Sequence, residues 1–295
     1  MATISCGTTQ EKYRFVKEYR GTLSIKQLCC YLKVSRSGFY AWRKRGPSCR
    51  DLSDKKLLHH IRKIYQQSRG IYGSPRIHEM LKKQGVSVGR KRVARLMNNS
   101  GLKARFARVY RRSTHTFEAN YIEDNKRLEA GKPKTINQHW ASDLTYIRVG
   151  KQWIYLVVIL DLYSRRIVSW SLGQKKGSAL VMSALQLAIR KRKPPSGLLF
   201  HTDRGNEFVS FTLREKMKAI GIERSMSRPY KSIDNAEIES FFQKLKGEYL
   251  QGKEYQSANQ LRRDIASYIN LFYNKTRLHS SLGYVSPMEF EACLA

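Results

Sequence analysis

The chain has 295 residues, enough for about one to three domains and a sizeable core. Its 56 Lys and Arg against 23 Asp and Glu leave a formal charge of +33, a surface that repels itself unless a polyanion neutralises it. Nucleic acid is the first partner this implies and an anionic membrane the second, but the longest apolar stretch, Trp153 to Leu160, is too short to span a bilayer and is ended by Asp161.

The N-terminus carries no apolar signal core, so the expectation is a soluble, cytoplasmic protein with no membrane partner. Five cysteines, at positions 6, 29, 30, 49 and 293, form no C-x-x-C pair. With the seven histidines scattered, neither a disulfide framework nor a structural zinc site has support.

In residues 1–50, "SIKQLCCYLKV" opens with Ser24 as a helix cap and spaces Ile25, Leu28, Cys29 and Leu32 along one helical face. "SRSGFYAWRKRG" follows with Ser35 as the next cap. Two short helices joined by a tight turn read as a helix-turn-helix-like segment or as any small helical hairpin. The basic end, including Arg43 and Lys44, favours DNA binding. "GPS" at 46–48 then breaks the pattern.

Residues 51–102 read as a second helical DNA-binding unit. Leu57, Ile61 and Ile64 share one face of its first helix. Ser74 is the expected N-cap of the next, with Pro75 at the first helical position and Gly85 just past the end. In the third helix Val93, Leu96 and Met97 point inward, and Arg90, Lys91, Arg92 and Arg95 mostly outward. From Val86 to Phe117 there are nine Lys or Arg and no Asp or Glu, a bias that fits phosphate contact better than a plain solvated face. A basic, weakly periodic linker runs over 103–135, either a DNA-tracking arm or a flexible tether.

Residues 136–295 change rhythm. Three strands, "HWASDLTYIRV", "KQWIYLVVILDLYS" and "RRIVSWSLG", sit close together with short polar turns, an antiparallel meander. A helix closed by Pro194 and Pro195 follows, then a strand ending at Asp203, a helix from Phe208, a short strand and a long helix from about 235. This order predicts a layered α/β sheet.

Asp143 lies inside the first of these strands, where propensity disfavours Asp and burial without a partner is costly. It is explained either by a polar sheet edge or by a metal. Asp203 ends the fourth strand, which in such a sheet can sit beside the first. On the long helix, at about 100° per residue, Ile238, Phe241, Phe242, Leu245 and Tyr249 form the core face. Asn235, Glu239 and Lys246 form a polar stripe on its shoulder, while Glu237 fits as the capping-box partner of an Asp234 N-cap. Carboxylates at a strand middle, a strand end and a helix shoulder suit hard divalent cations such as Mg²⁺ or Mn²⁺. Two such ions, roughly 3.5–4 Å apart, support in-line phosphoryl displacement.

These segments together resemble the insertion-sequence-three family of bacterial transposases, in particular its downstream-frame (OrfB) product. The resemblance rests on "VSRSGFYAWRKR", "YGSPRI", "VGRKRVARLM", "WASDLTYI", "LDLYSRRIVSW", "HTDRGNEF", "DNAEIESFFQKLKGE" and "NKTRLHSSLGYVSPMEF" in that order, across most of the chain. It implies an α/β ribonuclease H-like, retroviral integrase-type catalytic core over 136–295, preceded by all-α helix-turn-helix-type units. It further implies Asp143, Asp203 and Glu239 as catalytic, metal-holding acids, with 35 residues between the last two as the family has them. Lys246, seven residues after Glu239, matches the family's basic residue and would contact DNA phosphate.

The implied activity is two-metal 3′-end cleavage and strand transfer on terminal inverted repeats and target DNA. It implies a homo-oligomer on DNA and the upstream-frame (OrfA) product as a further partner. The rival readings are a nuclease of the same fold without strand transfer and a non-catalytic DNA-binding regulator. Four other residues or stretches have structural readings beside functional ones. Asp161 shapes a turn, pairs with Arg165 or Arg166, or joins the metal site. Glu207 is an early-helix acid, His201 a packed histidine, and Asn274 to Tyr284 either touches DNA or closes the core.

Overall fold

A computed structural model of the chain describes residues 7–21, 23–45, 48–105, 123–229 and 231–294. It forms two compact units, Met1–Lys63 and Ile64–Ala295, and the division falls within a helix.

The first unit holds α1 (Thr9–Tyr19), α2 (Ile25–Tyr31), α3 (Arg36–Lys44) and most of α4 (Cys49–Gln67). Local chemistry starts all four of these helices, α4 through Ser48, whose hydroxyl accepts from Asp51 N while its own amide donates to the Asp51 carboxylate. Thr8 with Glu11 and Ser24 with Gln27 form capping boxes, and Ser35 accepts from the Gly38 amide. Val16, Leu28, Cys29 and Phe39 are the buried core, with Tyr13, Ile25, Leu32 and Trp42 packed around it. Helix α1, which the sequence reading did not find, enters this core through one buried residue, Val16. Arg43 and Lys44 are exposed on the last turn of α3. Of the expected break at 46–48, Gly46 and Pro47 lie outside the described residues.

The second unit adds α5 (Ser74–Lys83), α6 (Arg90–Asn99), α7 (Lys126–Ala130), α8 (Ser178–Arg192), α9 (Phe211–Ala219), α10 (Ala236–Lys244), α11 (Ala258–Ala266) and α12 (Pro287–Ala292). Ser74 is not the cap of α5 but its first helical residue. Gly73 keeps extended backbone at φ −86°, ψ 178° and takes the capping position. Gly85 follows the helix at φ +76°, the left-handed geometry its place requires. Val93, Leu96 and Met97 are the buried side of α6, while Arg90, Lys91 and Arg95 are exposed and Arg92 half-buried. Residues 106–122 of the expected linker lie outside the described residues.

The sheet has the order β3-β2-β1-β4-β5, from β1 (His139–Val149), β2 (Gln152–Asp161), β3 (Ile167–Gly173), β4 (Leu199–Thr202) and β5 (Glu223–Met226). The meander of β1, β2 and β3 is antiparallel, and β4 and β5 run parallel to β1. The fourth strand therefore lies beside the first, as its place in the sequence order predicts. Side-chain alternation gives the sheet two buried faces. Trp140, Val157 and Ile159 pack with Val181, Leu185 and Leu213 of α8 and α9. Ala141, Val158 and Leu160 pack with Ile238, Phe241 and Leu245 and with Leu261 and Ile265 of α11. Helix α10 runs on into a π-helical stretch, Leu245–Leu250, and α11 into another, Ser267–Tyr273.

Candidate active site

Asp143 and Asp203 come together through strand register. Ser142 of β1 pairs with Thr202 of β4, so each aspartate is the next residue along adjacent parallel strands. Asp143 shares the alternation of Ala141 and Ile147, whose face α10 covers. Glu239 enters from α10, half-buried beside the buried Ile238, Phe241 and Phe242. The helical face derived from sequence is therefore the one that seats α10 on β1.

Burial and neighbouring charge raise all three acids. Burial, and then the charges of Asp203, Glu239 and Glu207, push the Asp143 carboxyl well above its ordinary range. Burial and the Glu207 charge also raise Asp203, whose hydrogen bond from the Gly205 amide works the other way. Burial and Asp203 raise Glu239. Each aspartate uses one oxygen locally: Leu144 N donates to Asp143 Oδ1 at 2.7 Å, and Gly205 N to Asp203 Oδ1 at 3.0 Å. Among the described residues no donor reaches the second oxygen of either. Like-charged oxygens, oriented by local amides and with no protein donor on the second atom, suit a hard cation as a donor set. The acids are nonetheless not drawn tight. Among the described residues no three His, Cys, Asp or Glu side chains already form a ligand cluster.

Lys246 sits on the π-helical continuation of α10, with its ammonium 5.5 Å from the centre of the Tyr146 ring. Asn235, expected on the same stripe, instead ends a 3₁₀ turn before the helix and is buried.

The Asp234–Glu237 capping box does not form. The Asp234 carboxylate accepts from Arg228 at 2.9 and 3.0 Å and from Asn125 at 2.8 Å, and mainly through Arg228 its pKa falls to about 2. Glu237 is taken by Arg127 at 2.6 Å and faces Arg165 at 3.5 Å. Guanidinium partners, Arg228 six residues before Asp234 and Arg127 far from Glu237 in sequence, hold the carboxylates in place of the helix-start amides.

Glu207 also departs from the reading. A 3₁₀ turn, Asn206–Phe208, precedes α9, which starts only after its Ser210 cap. Glu207 is therefore no early-helix acid. It is buried, 3.2 Å from Lys176, and its charge is felt by both aspartates. Gly205 is needed beside it, because a Cβ there would come within 2.8 Å of the Glu207 carboxyl group.

The remaining candidates are structural. Asp161 is fully buried and shapes a turn, accepting from Asn137 N at 2.7 Å, Tyr163 N at 2.9 Å and Ser164 N at 3.0 Å. His201 is packed between Ser225 and Ser227, at 2.9 and 3.1 Å, and burial lowers its pKa to about 4. The 274–284 stretch closes the core. Asn274 exchanges two 2.9 Å hydrogen bonds with the Ile167 backbone, and buried Arg277 forms a two-pronged pair with Glu248.

Residues 133–232 and 220–287 each match a family model described as an integrase core domain, and 52–110 match an HTH-like domain. The chain is 35% identical over 263 residues to an uncharacterized 31 kDa protein of insertion element IS600 from Shigella sonnei, covering 89% of this chain and 97% of that one. It is 33% identical over 282 residues to transposase InsF for insertion sequence IS3A of Escherichia coli strain K12, covering 95% and 98%.

Similar solved structures include a simian T-cell lymphotropic virus intasome in complex with a PP2A regulatory subunit, B56 gamma. It is 15% identical, with a TM-score of 0.44 over 77% of this chain and 73% of that one. The HTLV-2 integrase catalytic core in complex with magnesium is 21% identical, with a TM-score of 0.37 over 52% and 94%.

Proposed function

The chain belongs to the InsF-type transposases of IS3 insertion sequences, and from that premise we propose that Asp143, Asp203 and Glu239 are its catalytic acids and hold two Mg²⁺ or Mn²⁺ ions. The observation that carries the proposal is the strand register that sets Asp143 and Asp203 side by side under α10, which presents Glu239, with burial and neighbouring acids raising all three carboxyls. When bound, the ions would supply Lewis-acid stabilisation of the attacking and leaving oxygens in phosphoryl transfer.

The chain's own residues do the rest. The Leu144 and Gly205 amides fix one oxygen of each aspartate, so the other points consistently. Core packing of Ile238, Phe241 and Leu245 fixes the helix that presents Glu239. Lys246, seven residues beyond Glu239, would hold a phosphate near the reacting bond. The reaction is 3′-end cleavage at a terminal inverted repeat, followed by joining of that 3′-hydroxyl to target DNA. The helix-turn-helix-like segment with Arg43 and Lys44, and the second unit with Arg90, Lys91, Arg92 and Arg95, would grip the repeat through phosphates. Assembly would be a homo-oligomer on DNA, joined by the upstream-frame product.

A strand-transfer assay on labelled terminal-repeat DNA tests this, comparing wild type with Glu239→Gln. Loss of several kcal/mol of charge stabilisation lowers joining at least about 100-fold. Full joining by the variant refutes the assignment of Glu239. Hydrolysis without joining by wild type supports a nuclease instead, and binding without cleavage supports a regulator.

A further inference from the structure

The side of α10 away from Glu239 carries an unmatched cluster of cations. Lys244 is five residues past Glu239, about 140° round the helix at 100° per residue, whereas Lys246 returns to the Glu239 side. Glu237, a full heptad before Lys244, shares its side and faces Arg165 and Arg127. Arg76 of α5 lies against the 276–278 segment beside Arg277, and its charge is felt by Lys244. Its Nε donates to Leu278 O at 3.0 Å, and its guanidinium stacks 5.7 Å from the Tyr72 ring. The Tyr72 hydroxyl bridges Thr276 O at 3.1 Å and Leu278 N at 3.0 Å, locking α5 against the 276–278 segment.

Of the anions nearby, Glu248 is engaged on both oxygens, while Glu237 gives Oε1 to Arg127 and Arg165 and leaves a buried Oε2 without a hydrogen-bond partner. Glu248 accepts from Arg277 on both oxygens and from Tyr268 at 3.0 Å. Glu237 is held by Arg127. Among the described residues neither Arg76 nor Lys244 has a carboxylate partner. His279, buried and edge-on to Tyr273, leaves its Nε2 without a hydrogen-bond partner. Burial and then Arg277, with smaller contributions from Arg76 and Arg165, bring Lys244 down to about 8. Burial and the same cations hold His279 neutral. Several half-buried positive charges with too few anions need a counter-ion from outside.

We propose that Lys244 and Arg76, with Arg165 and His279 near them, form a seat for a backbone phosphate of bound DNA, separate from the strand at the carboxylates. This site rests on the transposase reading, since it commits to nucleic acid as the ligand. Arg76 presents a planar fork and Lys244 a point charge, a pairing suited to a phosphodiester. The location joins the HTH-like region to the catalytic core, so one strand would touch both.

The test measures binding of the full chain to terminal-repeat duplex across a salt series, for wild type, Lys244→Met, Lys244→Arg and Arg76→Gln. Each loss of charge should weaken binding several-fold and flatten the slope of log K against log salt by about 0.9. Lys244→Arg should keep the slope. Lys244→Met should melt no lower than wild type, because it removes a half-buried charge that has no carboxylate partner. That combination separates contact from folding and supports the seat.

Wild-type affinity and slope in Lys244→Met, beside wild type that binds and joins DNA, overturn this site alone. An affinity loss with an unchanged slope and a lower Tm also overturns it, as a folding effect. Wild type that binds no DNA overturns both this site and the transposase reading. Inorganic phosphate that displaces the duplex where chloride of equal ionic strength does not would assign the seat to a free anion and overturn the strand contact.

Discussion

The two sides of α10 carry opposite charge imbalances. On one, Glu239 meets Asp143 and Asp203, with Glu207 close behind, and burial and repulsion push the carboxyls upward. On the other, Lys244 feels the charges of Arg277, Arg76 and Arg165, and the two glutamates there, Glu248 with Arg277 and Glu237 with Arg127 and Arg165, leave Lys244 and Arg76 without a carboxylate among the described residues. Elsewhere among the described residues of this unit, several buried carboxylates are matched by arginine. Glu291 receives both Arg166 and Arg192, and Asp234 receives Arg228. The fold pairs these charges, and along α10 it pairs Glu237 and Glu248 as well, but among the described residues it leaves Asp143, Asp203 and Glu239 and the cations Lys244 and Arg76 without opposite charges in contact. The unmatched sites mark where something other than protein belongs.

Three experiments would sharpen or break this contrast, and the largest effect is on a matched pair. Arg277→Met strands Glu248 in the core and should cost about 3–5 kcal/mol, read by urea denaturation. Arg277→Met combined with Glu248→Leu should recover most of that loss. A single substitution without penalty would mean that Glu248 was not relying on Arg277.

The next effect tests a buried neutral group on β4. His201 has a folded pKa near 4 against an unfolded value of about 6.5, so the unfolded chain binds its proton first. Stability is fully present above pH 6.5 and is lost as pH falls toward 4, by up to about 3 kcal/mol. His201→Gln, which can still reach the two serines, should remove that part of the pH slope. An unchanged slope would locate the acid sensitivity elsewhere.

The smallest effect has the opposite sign. A carboxyl raised on folding contributes stability when protonated and loses it as pH rises through the folded pKa. Asp203→Asn should therefore raise Tm at neutral pH in chelator while abolishing joining, and a lowered Tm would contradict the repulsion described here.

Much of the catalytic unit was legible in the residues because binary pattern and chemistry agreed. The alternation around Asp143 gave β1, the apolar run before Asp203 gave β4, and the 3.6 period gave the face of α10 that meets the sheet. The pairing of β1 with β4 followed from strand order. What stayed hidden depended on partners distant in sequence. Asp234 and Glu237 have the local spacing of a capping box, yet Arg228, Asn125 and Arg127 take them. Glu207 lies within the quoted stretch around Asp203, but only the 3₁₀ turn reveals that it is buried toward the acids. Lys244 carries no signal of its own in the sequence, because its cationic neighbours come from α5, the β2–β3 turn and Arg277. Helix α1 has too little apolar periodicity to announce itself, and Thr8 with Glu11 was its one local signal.

The central claim is that the acidic side of α10 is completed by divalent cations, and thermal unfolding with Mg²⁺ or Mn²⁺ tests it most directly. Wild type should gain stability with ion concentration, by about 2.7 kcal/mol at 100 times the dissociation constant. Asp143→Asn and Asp203→Asn, starting from a higher Tm in chelator, should gain little. Equal gains in wild type and both variants, or none in any, would contradict the claim.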